Sequence, residues 1–321
     1  MNIKRGFIVV AVFGFTLFSA QHVDALTISP ARAEISGKPG ESVTDTIELF
    51  NDEATAKTYY ISSQNFIADG ETGAPNFTGN SDDIASWIKT NDVVTVQPQE
   101  RKLVGYSIAI PQDAVPGGHF GAIFFSSSPA DKSGQMLIGG KVGALLLLTV
   151  EGDVKESAGV NGFMTQGGSW FASIPINFEY WFNNMGGNRI KPVGTITVKN
   201  MFGFEVASLV ANPKTGNVLP KSMRKFIVQW GNDRTDLNGS LLHDTYENFM
   251  WEFKNFHLGY YTATMHLAYG EQGKTVDTDY SFFILPWHLV LLLPGIFAAF
   301  FVARLGLKRY NAWVIAQAQK R

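Results

Sequence analysis

Apolar residues recur at every second position through most of this chain. In the segment from Val104 to Ile110 the facing set is Val104, Tyr106, Ile108 and Ile110. From Ile174 to Phe182 it is Ile174, Ile176, Phe178, Tyr180 and Phe182. Phe226, Val228 and Trp230 form a third set, and Tyr261, Ala263, Met265, Leu267 and Tyr269 a fourth. A period of two is the signature of a half-buried strand. Turn signals punctuate these runs: Lys38-Pro39-Gly40, Asn51-Asp52, Pro116-Gly117-Gly118, Met185-Gly186-Gly187-Asn188 and Asn212-Pro213. Between the two ends no stretch suggests a helix. Many short strands without crossover helices imply an all-β region built of antiparallel β-sandwiches.

The strands fall into two units, 26–153 and 154–281, and the polar stretch from Glu151 to Ser157 reads as the linker. In the first unit Ala144-Leu-Leu-Leu-Leu-Thr-Val150 is apolar at almost every position. It is too short to cross a membrane, so it is expected to be a central strand covered on both faces. Each unit has a strand running into an Asn-containing turn, ending at Asn51 and at Asn184, which suggests two copies of one Ig-like sandwich type.

The ends follow a different pattern. Lys4 and Arg5 precede an apolar stretch from Gly6 to Phe18, and Val23-Asp24-Ala25 fits a cleavage site, so 1–25 reads as a signal peptide. Phe282 to Ala303 contains no charged residue and matches the roughly 20 residues a helix needs to cross hydrocarbon. Segment 282–303 is therefore expected to be a transmembrane helix. Trp287, Leu291 and Phe297 would be its anchor residues, and Pro294 would kink it. Residues 304–321 form a basic tail. Arg304, Lys308 and Arg309 would determine topology, with the tail in the cytoplasm and the β-units outside.

Charge and composition narrow the functions. Of 26 basic and 28 acidic residues, seven bases but only Asp24 among the acids lie in the two ends, which leaves the central region at about −8. Such a balance disfavours nucleic acid as a partner. With no cysteine, neither disulfides nor thiolate chemistry are open to the chain.

No catalytic constellation, cofactor motif or metal-ligand spacing emerges, so no catalytic residue, cofactor or metal is expected. The histidines are His22, His119, His243, His257, His266 and His288. His119 sits among glycines and beside Phe120, and these two are the candidate ligand contacts. Arg234 to Gly239 resembles a calcium loop in part, but Arg234 occupies the first ligand position. Asp69, Glu71, Asp82 and Asp83 could form a looser calcium site, with a solvated loop as the alternative. Trp170, Trp181, Trp230 and Trp251 are expected mainly in cores.

Several motifs resemble the WxL-interacting proteins of Gram-positive cell surfaces. In the first unit they are Pro39-Gly40-Glu-Ser-Val43, Leu49-Phe-Asn51, Val96 to Lys102 and Pro111 to Phe125. In the second they are Phe182 to Asn188, Pro192-Val-Gly194, Leu219-Pro220 with Arg224, and Gly259-Tyr-Tyr261. The resemblance implies a peptidoglycan-binding β-domain, a second Ig-like domain, a membrane span and a basic tail. It thus implies a non-enzymatic scaffold at the cell membrane that contacts wall glycan and a surface protein. Two alternatives accompany it. One is an accessory or sensor subunit acting through the tail. The other is a pilus-chaperone-like assembly factor, since Ala31 to Ile35 followed by Val43 to Asn51 is similar to the first domain of those chaperones.

Overall fold

The computed structural model of the chain describes residues 26–79, 82–129, 141–234 and 239–318. The expected signal peptide, residues 235–238 of the segment that resembles a calcium loop in part, and Lys320 and Arg321 of the basic tail lie outside them.

In the first sandwich one sheet contains β1 (Leu26–Ser29), β3 (Ser42–Asn51), β8 (Arg101–Ala109) and β6 (Ile88–Thr90), in the order β1-β3-β8-β6. The other has the order β2-β10-β9-β4-β5: β2 (Arg32–Gly37), β10 (Lys141–Val150), β9 (Gly117–Ser126), β4 (Lys57–Asp69) and β5 (Ala74–Gly79). Strand β7 (Val93–Val96) adds to β4, and α1 (Ile84–Trp87) is a single turn. Asp69 and Glu71, read as part of a looser calcium site or a solvated loop, fall at the tip of the hairpin β4–β5.

The second sandwich pairs β11 (Ala158–Thr165), β13 (Ile176–Asn184) and β16 (Ser222–Trp230) in one sheet. Its partner sheet runs β12-β18-β17-β14-β15: β12 (Trp170–Phe171), β18 (Lys274–Ile284), β17 (Gly259–Tyr269), β14 (Val193–Asn200) and β15 (Glu205–Val210). Both sandwiches use one topology. The first strand (β1 or β11) pairs antiparallel in one sheet. The chain then crosses to the other sheet and pairs parallel with that unit's last strand (β2 on β10, β12 on β18).

The alternating positions form the cores. Val104, Tyr106, Ile108 and Ile110 join the first, and Phe178, Tyr180, Phe182, Val228, Trp230, Met265 and Leu267 the second. Each such side chain withdrawn from water contributes on the order of 1.5–3 kcal/mol before entropy is counted. Phe282 and Ile284 also belong to the second core, and β18 runs to Ile284. The helical span expected from residue 282 therefore begins later, because a buried strand end is as apolar as a membrane helix. It is α3 (Trp287–Ala318), one helix that contains Pro294 and continues through Arg304, Lys308 and Arg309. Counted over the described residues alone, no helix is long and apolar enough to cross a membrane.

A second helix departs from the sequence reading. α2 (Leu241–Lys254) starts at Ser240, whose hydroxyl accepts from the His243 amide, and has Asp244 in its first turn and Lys254 in its last. Trp251 packs it onto the sandwich by donating to the Ile174 carbonyl at 2.7 Å. Glu252 is buried and faces α3. It pairs with His288 at 2.5 Å and accepts the Leu289 amide at 3.1 Å, so an α2 carboxylate caps the first turn of α3.

Two fully buried asparagines close corresponding turns. Asn51, at the end of β3, donates to the carbonyls of Thr55, Val96 and Gln97 and accepts from Glu53. Asn184, at the end of β13, donates to Asn188 and Val218 and accepts from Gly186. Replacing Asn184 with Leu leaves the Gly186 amide and the Asn188 carbonyl unmatched, while the Val218 carbonyl keeps the Ile190 amide, at a cost of about 1–3 kcal/mol for each group left dry. The expected result is faster amide exchange at Gly186 and lower thermal stability of the second sandwich, with exchange in the first unchanged. Unaltered exchange at Gly186 would show that the side chain is not the clamp.

Candidate functional site

Three regions could carry function: the joint between the sandwiches, the surroundings of His119, and the outer face of the four-stranded sheet.

The joint starts from β10. Its inward residues Ala144, Leu146 and Leu148 enter the first core. Its outward residue Leu147 is also buried, in a small cluster with Phe66, Phe120 and Leu219. Leu219 belongs to the second sandwich, so that unit supplies the cover the leucine run requires. Around this patch two glycine turns meet, and Gly118 donates its amide to the Gly187 carbonyl at 2.9 Å. Gly117 lies alongside at φ +130°, and a Cβ there would come within 2.8 Å of that carbonyl oxygen. The hairpin β4–β5 reaches across as well. At its tip Glu71 accepts the Trp181 indole at 2.8 Å, and its carbonyl accepts the Lys225 amide at 2.7 Å.

Glu34 on β2 is the electrostatic centre of the joint. Its carboxylate accepts from Asn217 at 2.9 Å and lies 3.3 Å from Lys191 and 3.6 Å from Arg189. Arg189 also donates to the Leu147 carbonyl at 3.0 Å and the Thr149 hydroxyl at 2.5 Å. Burial works to raise the Glu34 pKa. Asn217, Lys191 and Arg189 together outweigh it and hold the pKa below the ordinary value of 4.5.

His119 lies in β9, next to the joint. Its Nδ1 meets Asp83 at 2.6 Å, its Nε2 meets the Val115 carbonyl at 2.8 Å, and its ring packs on Trp87 at 4.8 Å. Asp83 also accepts the Ile84 amide and caps α1. Both ring nitrogens are engaged within the protein, and Phe120 is buried in the joint rather than turned to a ligand. The glycines around His119 serve the joint and not an open turn. Burial lowers the His119 pKa, but the Asp83 hydrogen bond, the Val115 carbonyl and the Asp83 charge outweigh it, so the pKa lies above 6.5.

The remaining candidates are dispersed. His266 pairs with Asp277 across β17 and β18, and His257 packs on Trp230. Among the described residues no three His, Cys, Asp or Glu side chains gather as metal ligands. Trp287, Leu291 and Phe297 are exposed along α3, as are Arg304, Lys308 and Arg309.

The outer face of the four-stranded sheet carries a shallow trough lined by Thr44, Asp45, Thr46, Lys89, Asn91 and Ser107. Register explains it. Thr44 and Lys89 both lie opposite Ser107, and Thr46 lies opposite Gly105, whose missing side chain leaves the floor flat. The trough offers hydroxyls, an ammonium and an amide, chemistry suited to a hydroxyl-rich ligand; the Asp45 carboxylate turns to the inner side, where it accepts the Tyr106 hydroxyl at 3.4 Å. Sequence patterning gave Val104, Tyr106 and Ile108 as one facing set of β8, which leaves Ser107 on the other side, and carried no signal at Lys89 or Asn91.

No family profile matches the chain, and no curated protein matches it in sequence. Solved structures of similar arrangement include the class 5 fimbriae chaperone CfaA, with 13% identity over 81% of this chain and 100% of that one, at a TM-score of 0.39. The CsuC–CsuE chaperone–tip adhesion subunit complex from Acinetobacter baumannii is 12% identical over 79% and 97%, at 0.34. The Pseudomonas aeruginosa CupB2 chaperone is 9% identical over 80% and 100%, also at 0.34.

Two pH dependences follow. His119 has a raised pKa in the fold, so its clasp is complete below about pH 6.5 and is lost as pH rises through the folded value. Amide exchange near Ile84 should therefore accelerate with pH above 6.5 beyond the intrinsic trend, and His119→Gln should abolish the excess. Glu34 has a lowered pKa, so its contribution is complete above 4.5 and is lost as pH falls below it. Spin labels on the two sandwiches should report broader distances in acid, and Glu34→Gln should give that breadth at neutral pH. Distances insensitive to both changes would remove Glu34 from the joint.

Proposed function

We propose that the chain is a non-enzymatic, membrane-anchored scaffold of the cell surface. Helix α3 crosses the membrane, and the sandwiches contact wall glycan and a surface protein outside it. This is the role that resemblance to the WxL-interacting proteins implies.

The observation that carries the reading is the surface of α3. Leu291, Phe297, Phe300, Phe301 and Val302 are all exposed, and past its first turns the helix leaves the β-units behind. Beyond the α2 contact at its start, a helix with so many apolar residues exposed favours a non-aqueous surrounding. Arg304, Lys308 and Arg309 follow the apolar stretch and set the cytoplasmic side.

The glycan half rests on the polar trough of the first sandwich. Neutral saccharide hydroxyls find both donors and acceptors there, and a net negative ectodomain does not have to attract an anionic polymer by charge. Tethering beside the wall raises the local concentration, so weak contacts suffice. A surface protein segment would add as a strand at an open sheet edge such as β15 or β6.

The test is co-sedimentation of the full chain, held in lipid nanodiscs, with purified peptidoglycan sacculi. Retention is expected. Thr44→Ala combined with Lys89→Ala should weaken it about tenfold, or ~1.4 kcal/mol. Absence of retention would overturn the wall-binding half, and full retention by the variant would move the contact off the trough.

A further inference from the structure

The end of the second sandwich nearest α3 carries an apolar rim that the chain itself leaves uncovered. The first part is the turn between β14 and β15. Met201, Phe202 and Phe204 are 56%, 73% and 69% exposed there. Register fixes its position. Asn200 lies opposite Tyr261 and Gly259 opposite Ile284, so the turn sits beside the end of β18, from which α3 departs. Gly259, at φ +107°, has no side chain to displace Met201, whose Cε lies where a Cβ would be.

The second part is an aromatic group on the neighbouring strand ends. Trp170 and Tyr260 are exposed and pack on Phe283 at 4.8 and 5.5 Å. The third is one face of α2, where Tyr246, Phe249 and Phe253 follow a helical spacing of three and four residues, with Tyr246 and Phe253 exposed. Phe256 and Leu258, both exposed, extend this face to β17. The Glu252 contacts with His288 and Leu289 fix α2 against the first turn of α3. All three parts therefore adjoin Trp287, where α3 begins.

We propose that this rim is a lipid-contact surface: the 201–204 turn and the aromatic face of α2 lie in the headgroup region of the outer leaflet. This rests on the reading that α3 crosses the membrane, and deepens it. Several features select lipid as the occupant. The rim is continuous with the exposed apolar surface of α3. It is rich in Trp, Tyr and Phe, the residues that settle at membrane interfaces. An amphipathic helix at such a boundary lies in its plane, with its apolar face about 5–10 Å deep. Neither 201–204 nor 256–260 contains an acidic residue that anionic headgroups would repel. With the rim embedded, the second sandwich rests on the bilayer rather than swinging on α3. The joint around Glu34 then sets the height and tilt of the first.

The chain has no cysteine, so single labelling sites can be introduced cleanly. Full-length Phe202→Cys, Phe253→Cys, Phe297→Cys and Leu103→Cys would each carry an environment-sensitive fluorophore. Each would be reconstituted in vesicles of phosphatidylcholine and phosphatidylglycerol containing brominated lipids. All four sites are exposed, so the fold tolerates the label. Positions 202 and 253 are expected to shift to the blue and lose fluorescence to bromines high on the acyl chains. Position 297 should be quenched by mid-chain bromines, and position 103 by neither. Phe204→Glu should reduce the quenching at 253. If 297 is quenched while 202 and 253 behave like 103, the rim proposal falls and the anchor stands. If 297 is not quenched, the anchor reading falls, and the rim stands only if 202 and 253 are quenched without it. Shielding of 202 and 253 from aqueous iodide without quenching by lipid would show a protein cover and overturn the proposal.

Discussion

Apolar side chains exposed along a helix favour a non-aqueous surrounding, and the proposed anchor depends on that constraint at α3, where Leu291, Phe297, Phe300, Phe301 and Val302 are exposed. Helix α3 makes few contacts with the β-units, so its placement is fixed almost entirely at its first turn. There the Glu252 carboxylate accepts the Leu289 amide and pairs with His288. One acidic side chain thus satisfies an orphan donor of α3 and fixes α2 beside it. Strand β18 ends at Ile284, inside the second core, only two residues before α3. A short connection between a packed strand and a capped helix transmits orientation, where a long linker would not.

The joint continues that logic outward. The leucines of β10 are buried on both faces because the second sandwich covers one of them, through Leu219. Glycine turns from the two units meet without side chains between them, and Glu34 gathers the polar groups around the patch. A partly buried carboxylate beside three cations, Arg32, Arg189 and Lys191, is stabilising only while its partners stay in place. The joint therefore selects one relative arrangement of the two sandwiches more than it adds stability.

Much of this was legible in the sequence, and the failures share a cause. Alternation identified the buried faces of β8, β13, β16 and β17, because the pleat imposes a period of two wherever one side is wet. The paired asparagines and the common sandwich topology were visible as a strand-turn similarity. α2 was missed because the residues it turns inward, the half-buried Trp251 and the buried Glu252, do not form a simple apolar stripe. Its aromatic face is the exposed one. Phe282 to Ile284 were assigned to the helix because hydropathy does not distinguish a core strand from a lipid-facing turn. The contacts of Glu34 with Asn217 and Lys191 span 183 and 157 residues, beyond the reach of local periodicity. His119 looked exposed because glycines flank it, but those glycines allow two domains to approach.

The most direct test of the account is how the full-length protein behaves when isolated membranes are washed at alkaline pH, which strips proteins held only by surface contacts. The account predicts that the chain stays in the lipid fraction on flotation, and that replacing Leu291 and Phe297 together with Glu releases it. Complete release of the unaltered chain into the wash would contradict a membrane-spanning α3, and the anchored scaffold with it.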